Sequence, residues 1–319
     1  MNTEKDIQVS VCVVTYNQES YIAECLESLV TQQTNFKFEI IVGEDCSTDT
    51  TRSIVQSYVE KYPGLVVPMF YEKNVGAVEN IKQVYKAAKG KYIAHIDGDD
   101  MALPGKLQKQ FDILEKNQDC SICVHNMDAV DGNSNSMKRE FTIFDEKKYS
   151  LIDMYLINPF FIHSSKMFVN KIDEYISDLN ENALDLEFHI EQAKQGDIYF
   201  LQEHLGCYRQ FVGVTYKDKL INPLIPERIQ VVYDKFFESY FDFTRLDAVK
   251  NKYAYILLQY ANHYIIHDEY EKAKLFFKHS KDQKVNFLTI LFSLVLISPD
   301  FLKTILNIRE FKRKVLNEN

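Results

Sequence analysis

Ile7–Thr15 reads IQVSVCVVT, a nearly unbroken apolar and β-branched run. A strand with one wet face alternates apolar and polar residues. A run apolar at almost every position predicts a strand covered on both faces, as in a parallel sheet between two helical layers. Tyr16-Asn17-Gln18 follows, and then Tyr21, Ile22, Cys25, Leu26 and Leu29 repeat at three and four, which predicts a helix with one apolar face. FEIIV at 38–42 predicts a second buried strand, ending in Gly43-Glu44-Asp45. The cap-type residues Ser47, Thr48, Asp49 and Thr50 then lead into a helix marked by Ile54, Val55 and Tyr58. Residues 66–71 predict a third strand, followed by Asn74-Val75-Gly76 and a helix through Ile81, Val84 and Ala88. KYIAHI at 91–96 predicts a fourth, which runs straight into Asp97-Gly98-Asp99-Asp100.

Strand and helix alternating at this spacing imply right-handed crossovers and an α/β fold, with a mostly parallel, Rossmann-like sheet in an α/β/α sandwich. Ligands of such sheets collect at the carboxyl ends of the strands. Three polar clusters lie at predicted strand ends: Thr15-Tyr16-Asn17, Glu44-Asp45 and Asp97-Gly98-Asp99-Asp100. The expected topology brings all three to one edge.

A fifth strand is expected at 121–126, with further strands at 162–169 and 198–201 and a helix between these two through Leu186, Ile190 and Ala193. From about Leu220 the pattern turns helical, and 253–267 with 270–280 predict a helical hairpin packed through Ala261 and Ala273. The division expected is 1–218 for the sheet domain and 219–319 for a helical C-terminal extension. FLTILFSLVLI at 287–297 is too short to span a bilayer, which takes roughly 20 residues. Followed by the basic stretch 301–316, it reads either as a buried core helix or as a membrane-interface segment covering 286–316.

Composition narrows the class. Hydrophobic residues at 46% and charged residues at 26% predict a globular chain and not a disordered one. Thirty-seven basic against 46 acidic side chains leave a net charge of −9, the wrong sign for a general nucleic-acid binder. Met1-Asn2-Thr3-Glu4-Lys5-Asp6 has no basic region leading into an apolar stretch, so no secretory signal is expected. The six cysteines sit mostly inside apolar runs, and Cys120-Ser121-Ile122-Cys123 reads as strand. Reduced thiols in a cytoplasmic protein follow from that.

Clustered carboxylates repel one another unless a cation sits among them. Asp97-x-Asp99 after an apolar strand suits a divalent ion, with hard oxygens on alternate residues and Gly98 allowing a diphosphate close to the backbone. A solvated acidic turn ahead of a helix beginning near Pro104 is the plainer alternative.

VVTYN at 13–17, EDCSTDT at 44–50, NVG at 74–76 and DGDD at 97–100 stand in the order and spacing of the family 2 inverting glycosyltransferases of the GT-A fold. The chain resembles that family over roughly 7–217, and four separated motifs carry the likeness. The resemblance implies that Thr15, Tyr16 and Asn17 line a nucleotide pocket. It implies that Asp45 bonds the base, most simply uracil, with Glu44 beside it and Asn74 at the same pocket. Asp97 and Asp99, with Gly98 between them, are implied to hold the ribose and a Mn²⁺ or Mg²⁺ on the diphosphate. DLEFHI at 185–190 matches the segment with the family's catalytic base, implied to be Asp185, with Glu187 as the fallback. Leu184 stands where the family usually has Glu. YRQF at 208–211 resembles the family's Tyr-Arg-x-His, which places Arg209 near the diphosphate, while Phe211 stands in the position of the His. Asp100, His163 and Glu187 are assigned to the acceptor side.

These roles imply metal-dependent transfer of a sugar, a hexose or N-acetylhexosamine, from a UDP-sugar to a hydroxyl of a glycan or lipid-linked acceptor. The resemblance implies bacterial surface-polysaccharide or cell-envelope synthesis, and the apolar-then-basic C-terminus fits a cytoplasmic enzyme peripheral to the inner face of the membrane. A sugar-nucleotide nucleotidyltransferase would need basic residues in a Gly-rich loop after the first strand, where Tyr16-Asn17-Gln18-Glu19 stands. A decayed transferase serving as a scaffold is the other competing class.

Overall fold

The computed structural model describes residues 7–140, 144–157, 160–210, 212, 222–239, 245–267 and 269–283. Phe211 and the stretches 287–297 and 301–316 lie outside them. The chain divides into two compact units, 1–218 and 219–319.

In the first unit β1 (Ile7–Thr15) leads to α1 (Ile22–Val30), β2 (Lys37–Glu44) to α2 (Thr51–Lys61), and β3 (Val66–Phe70) to α3 (Ala77–Ala87). β4 (Tyr92–Asp97) and the short β5 (Met101–Ala102) precede α4 (Lys106–Lys116). Then come β6 (Cys120–Val130), β7 (Ser136–Glu140), β8 (Lys147–Tyr149), α5 (Leu151–Leu156), β9 (Met167–Val169), α6 (Asp185–Ala193) and β10 (Asp197–Arg209). These strands form one 10-stranded sheet with the path β3-β2-β1-β4-β9-β6-β10-β5, to which β7 adds on β6 and β8 on β10. β1 pairs in parallel with β2 and β4, β2 with β3, and β6 with β10. Because β9 is antiparallel to both β4 and β6, all six of these strands run in one direction.

Burial on both faces of β1 makes the sandwich. Val9, Val11 and Val13 are fully buried in the same cluster as Leu26 and Leu29 of α1, Val55 of α2 and Leu107 of α4. Cys12, one residue out of phase, points its Sγ at the Val84 carbonyl of α3, 3.4 Å away. On that second side Tyr85 of α3 meets Phe168 of β9 and Phe188 of α6 edge to face. The register then sets the site: Thr15 pairs with Glu44, and Val14 with Asp97, so the ends of β1, β2 and β4 are level.

Two strands outrun their expected lengths. β6 extends to Val130 and β10 to Arg209 because they pair with each other along their whole length, through register shifts between Leu201 and Gly206. The strand expected at 162–169 is corrected: His163–Ser165 form a 3₁₀ turn, and strand begins only at Met167. Ser165 closes that turn by returning its backbone N–H and its hydroxyl to the Ile162 carbonyl.

The second unit contains α7 (Leu224–Ser239), α8 (Leu246–Ile266) and α9 (Tyr270–Gln283). The α8–α9 hairpin closes on fully buried Ala261 and Ala273, and the Ser280 hydroxyl bonds the Ala254 carbonyl.

Candidate active site

At the level ends of β1, β2 and β4 opens a cavity of about 870 Å³. Thr15, Tyr16, Asn17, Asp45, Asn74, Asp97, Asp99 and Arg209 line it, and His163 and Asp185 line it from the side of α6. Residues scattered over almost two hundred positions of sequence thus share one space of the size small-molecule ligands occupy. Glu44, Gly98, Asp100 and Glu187 are not among the lining residues.

The nucleotide-type side is built from interlocked turns. Asn17 takes a left-handed φ of 52°, which an asparagine tolerates, and Cys46 takes 56°. The Asn17 N–H donates to the Ser47 hydroxyl at 3.0 Å, and its side-chain oxygen accepts the Thr48 N–H at 2.8 Å. The Gln18 N–H donates to the Thr51 hydroxyl at 2.8 Å. Against this frame the Tyr16 ring stands 41% exposed, while the buried Thr15 Oγ1 has no hydrogen-bond partner among the described residues. Asp45 accepts the N–H groups of Val75 at 2.6 Å and Gly76 at 3.0 Å, so its carboxylate orders the 74–76 turn as it faces the cavity. Glu44 lies apart from the cavity because its oxygens are used beneath it. One accepts the Ser47 N–H and the other pairs with Arg52, which also donates to the Tyr71 carbonyl.

The acidic turn after β4 separates its members by environment. Asp97 approaches His95 Nε2 at 3.1 Å and accepts the Ser164 hydroxyl at 3.1 Å. Burial works to raise its pKa, but His95, Ser164 and the charge of Lys166 hold it below its ordinary value. Burial and the Asp97 charge push Asp99 up to about 6. Asp100 is fully buried and turns away from the cavity to accept the Arg209 N–H at 2.9 Å, which removes it from the acceptor side. Gly98 forms the floor of the turn: a Cβ there would lie 2.5 Å from the Gln18 amide oxygen and 2.9 Å from Thr15 Cβ.

Arg209 is 2% exposed and heavily engaged. Its guanidinium pairs with Glu24 at 2.5 Å, donates to the carbonyls of Asp99 at 2.9 Å and Asp131 at 3.0 Å, and stacks over the Tyr21 ring. It therefore ties α1, the acidic turn and the 131–134 loop together at the cavity wall.

Asp185 opens α6, and its side chain is 65% exposed. That exposed surface faces the cavity, and the enclosing protein and the charge of Asp97 push its carboxyl up to about 6 against the pull of Lys166. Glu187 is instead a capping residue, mostly buried, whose carboxylate accepts the Leu184 N–H at 3.0 Å. Behind Asp185 lies a group of which the sequence reading singled out only His163. His163 Nδ1 is 2.9 Å from His189 Nε2 and 3.7 Å from Asp185 Oδ1, and its ring meets His95 at 4.0 Å between centroids. Lys166 and Lys106 lie fully or almost fully buried beside them, each brought down to about 7 by burial. His189 had a legible signal, one helical turn beyond Asp185 on the same face; the two lysines had none. Met154, Phe160, Phe161 and Leu186 add an apolar wall that sequence spacing did not single out.

Among the described residues no three or more His, Cys, Asp or Glu side chains converge as a metal cage. Asp97 and Asp99 nonetheless fit Mg²⁺ or Mn²⁺, which commonly take one or two protein carboxylates and complete their coordination with substrate phosphates and water. No helix of the described residues is long and apolar enough to cross a membrane.

The model of glycosyl transferase family 2 matches residues 10–176. An uncharacterised protein of Mycobacterium tuberculosis is 32% identical over 207 residues, 63% of this chain and 58% of the relative, so the chain spans less than two thirds of that relative's length. A poly(ribitol-phosphate) beta-glucosyltransferase of Bacillus spizizenii is 26% identical over 230 residues, 71% of this chain and 34% of the relative. Among solved structures, residues 1–349 of S. aureus TarS in complex with UDP-GlcNAc superpose with a TM-score of 0.56 at 16% identity, covering 88% of this chain and 93% of that one. The likeness carries the fold, a GT-A α/β sandwich followed by helices.

Proposed function

This chain belongs to glycosyl transferase family 2, and on that premise we propose that it transfers a sugar from a nucleotide-sugar to an acceptor hydroxyl with inversion, because the carboxylates of Asp45, Asp97, Asp99 and Asp185 line one cavity. Residues 1–218 would form the catalytic domain. Tyr16, Asn17 and Asp45 would receive the nucleotide, with the open Tyr16 ring as a face for the base. TarS carries UDP-GlcNAc in its crystals, which favours a UDP-sugar donor here.

The chemistry follows from the two walls. Asp97 and Asp99 would hold a divalent cation, whose contribution is to neutralise charge on the departing diphosphate. Asp185, opposite them, would take the proton of the acceptor hydroxyl as that oxygen attacks the anomeric carbon. One in-line displacement needs one base and inverts the configuration. Arg209 would act mainly by holding the acidic turn in place, given its partners. The apolar wall of Met154, Phe160, Phe161 and Leu186 lies beside Asp185 in the cavity lining and would meet the acceptor. A glycan or lipid-linked glycan would fit this wall; the Bacillus relative is named for glucosylating poly(ribitol-phosphate), which favours a polymeric acceptor with free hydroxyls. The apolar and basic stretches at 287–316 would bring the enzyme to the inner face of an anionic membrane.

A donor panel tests this: nucleoside diphosphate release from UDP-linked hexoses and N-acetylhexosamines, with and without Mn²⁺ or Mg²⁺. Release from at least one donor, dependent on the metal, is expected. Silence from every nucleotide-sugar under both conditions would sink the proposal.

A further inference from the structure

Lys166 is a lysine with 0% exposure, placed between the 3₁₀ turn at His163–Ser165 and β9. Its ammonium lies over the rings of Phe168 at 5.3 Å and Tyr85 at 5.9 Å. Its one hydrogen bond among the described residues runs to His163 Nδ1 at 3.4 Å, and no described carboxylate is in ion-pair contact with it. A buried cation without a paired anion is costly, and burial brings Lys166 down to about 7 against the two carboxylate charges that act on it.

The groups facing it are His95 and Asp97 on β4, Tyr85 on α3, His163 in the turn, and Asp185 and His189 on α6. Asp185 is the foremost of the two negative charges acting on Lys166, with Asp97 second. His163 Nδ1 stands between them, 3.4 Å from the ammonium and 3.7 Å from Asp185 Oδ1. An ammonium only donates, so with Lys166 charged Nδ1 is the acceptor and the imidazole proton sits on Nε2, a buried atom with no partner among the described residues. The His189 Nε2–H, 2.9 Å away, then donates to the same Nδ1. With Nδ1 an acceptor, His163 offers Asp185 no hydrogen bond, and the attraction the carboxylate feels from this wall is the charge of Lys166.

We propose that Lys166 is a positioning residue for Asp185: a buried countercharge, locked in place through His163 and His189, that holds the ionised carboxylate of the proposed base against the inner wall of the cavity. The inference rests on the transferase reading for its kinetic consequence, but not for the coupling between the two side chains. A merely structural Lys166, filling space under Tyr85 and Phe168, would leave Asp185 unchanged when replaced by a residue of similar volume.

The test compares the full chain with Lys166→Met, and with Lys166→Gln as the second variant, after thermal melts identify the variant that folds. In protein with ¹³C-labelled aspartate carboxylates, the resonance missing from Asp185→Asn is titrated. Removing the countercharge is expected to move its midpoint up by about one pH unit, equivalent to roughly a tenfold change in ionisation. In nucleotide release, the acid limb of kcat should move up by about one pH unit, so that kcat falls roughly tenfold near pH 5 and about twofold at pH 7, while the donor KM stays within about twofold. An unmoved Asp185 titration overturns the proposal, as does a kcat equal to that of the parent chain. Parent protein that releases no nucleotide from any donor overturns the transferase reading instead, and the carboxylate titration still decides whether Lys166 and Asp185 are coupled.

Discussion

The backbone N–H of Arg209 donates to the carboxylate of Asp100 at 2.9 Å, joining the last residue of β10 to the acidic turn at the end of β4. The same arginine returns its Nε–H to the Asp99 carbonyl at 2.9 Å. The two motifs are thereby one mechanical unit, and Asp100 serves its geometry. Asp100→Asn keeps an acceptor of the same shape and should leave the denaturation midpoint nearly unchanged. Asp100→Ala strands a buried N–H and should lower stability by about 1–3 kcal/mol. Urea unfolding of the pair checks this, and equal midpoints for the two variants would show that the bond carries no stability.

A second buried polar lock lies at the far end of the sheet. The Ser10 hydroxyl donates to Glu39 at 2.7 Å and accepts the N–H of Gly90 at 2.9 Å and of Lys89 at 3.0 Å. Ser10 and Glu39 are 0% and 3% exposed, so β1, β2 and the approach to β4 are registered by one hydroxyl. Ser10→Ala should cost about 1–3 kcal/mol, since it leaves a buried amide and a buried carboxylate short of a partner. Chemical denaturation reads this directly, and a shift below a few tenths of a kcal/mol would contradict it.

Much of the first unit was legible because its signals are local and repeated. IQVSVCVVT and FEIIV could only be strands covered on both sides, and the level ends of β1, β2 and β4 follow from parallel pairing. The site's acidic face was legible for the same reason, since polar residues after buried strands must converge. Positions 162–169 misled because apolar Ile162 and Met167–Val169 frame the polar His163-Ser164-Ser165, where Ser165 closes a turn on the Ile162 carbonyl and Ser164 bonds Asp97. Asp100 and Glu187 are carboxylates in the right segments whose partners, Arg209 and Leu184, are fixed only by the folded chain. The buried Lys166 and Lys106 left no trace, because nothing in their own neighbourhood of sequence marks a lysine for burial.

The pH dependence of turnover should carry the signature of Asp185. A general base works ionised, and this carboxyl is pushed up to about 6 by its enclosure and by Asp97. Lowering the pH through about 6 protonates it, so kcat should fall on the acid side and level off above about 7. The sign is that of a raised carboxyl: activity is gained with rising pH. Asp185→Asn should reduce turnover by about 10²–10⁴-fold while nucleotide affinity measured by calorimetry is retained. Undiminished turnover in that variant would take the role from Asp185.

Asp99 gives the sharpest separation between metal binding and ordinary architecture. Its side chain lines the cavity, and its carboxyl, pushed up to about 6 by burial and Asp97, is held charged by no ion pair among the described residues. A divalent cation would favour the ionised form, so nucleoside diphosphate binding in the presence of Mn²⁺ should release protons near pH 6. Asp99→Asn should keep the fold, lose that proton release, and weaken metal-dependent nucleotide affinity by at least the roughly 10–100-fold seen when a metal's supporting groups are disturbed. Calorimetry in two buffers of different ionisation enthalpy measures both quantities. If nucleotide affinity is the same with Mn²⁺ and with chelator, and Asp99→Asn matches the parent chain, then Asp99 is an acidic turn residue and the leaving diphosphate is met by other groups.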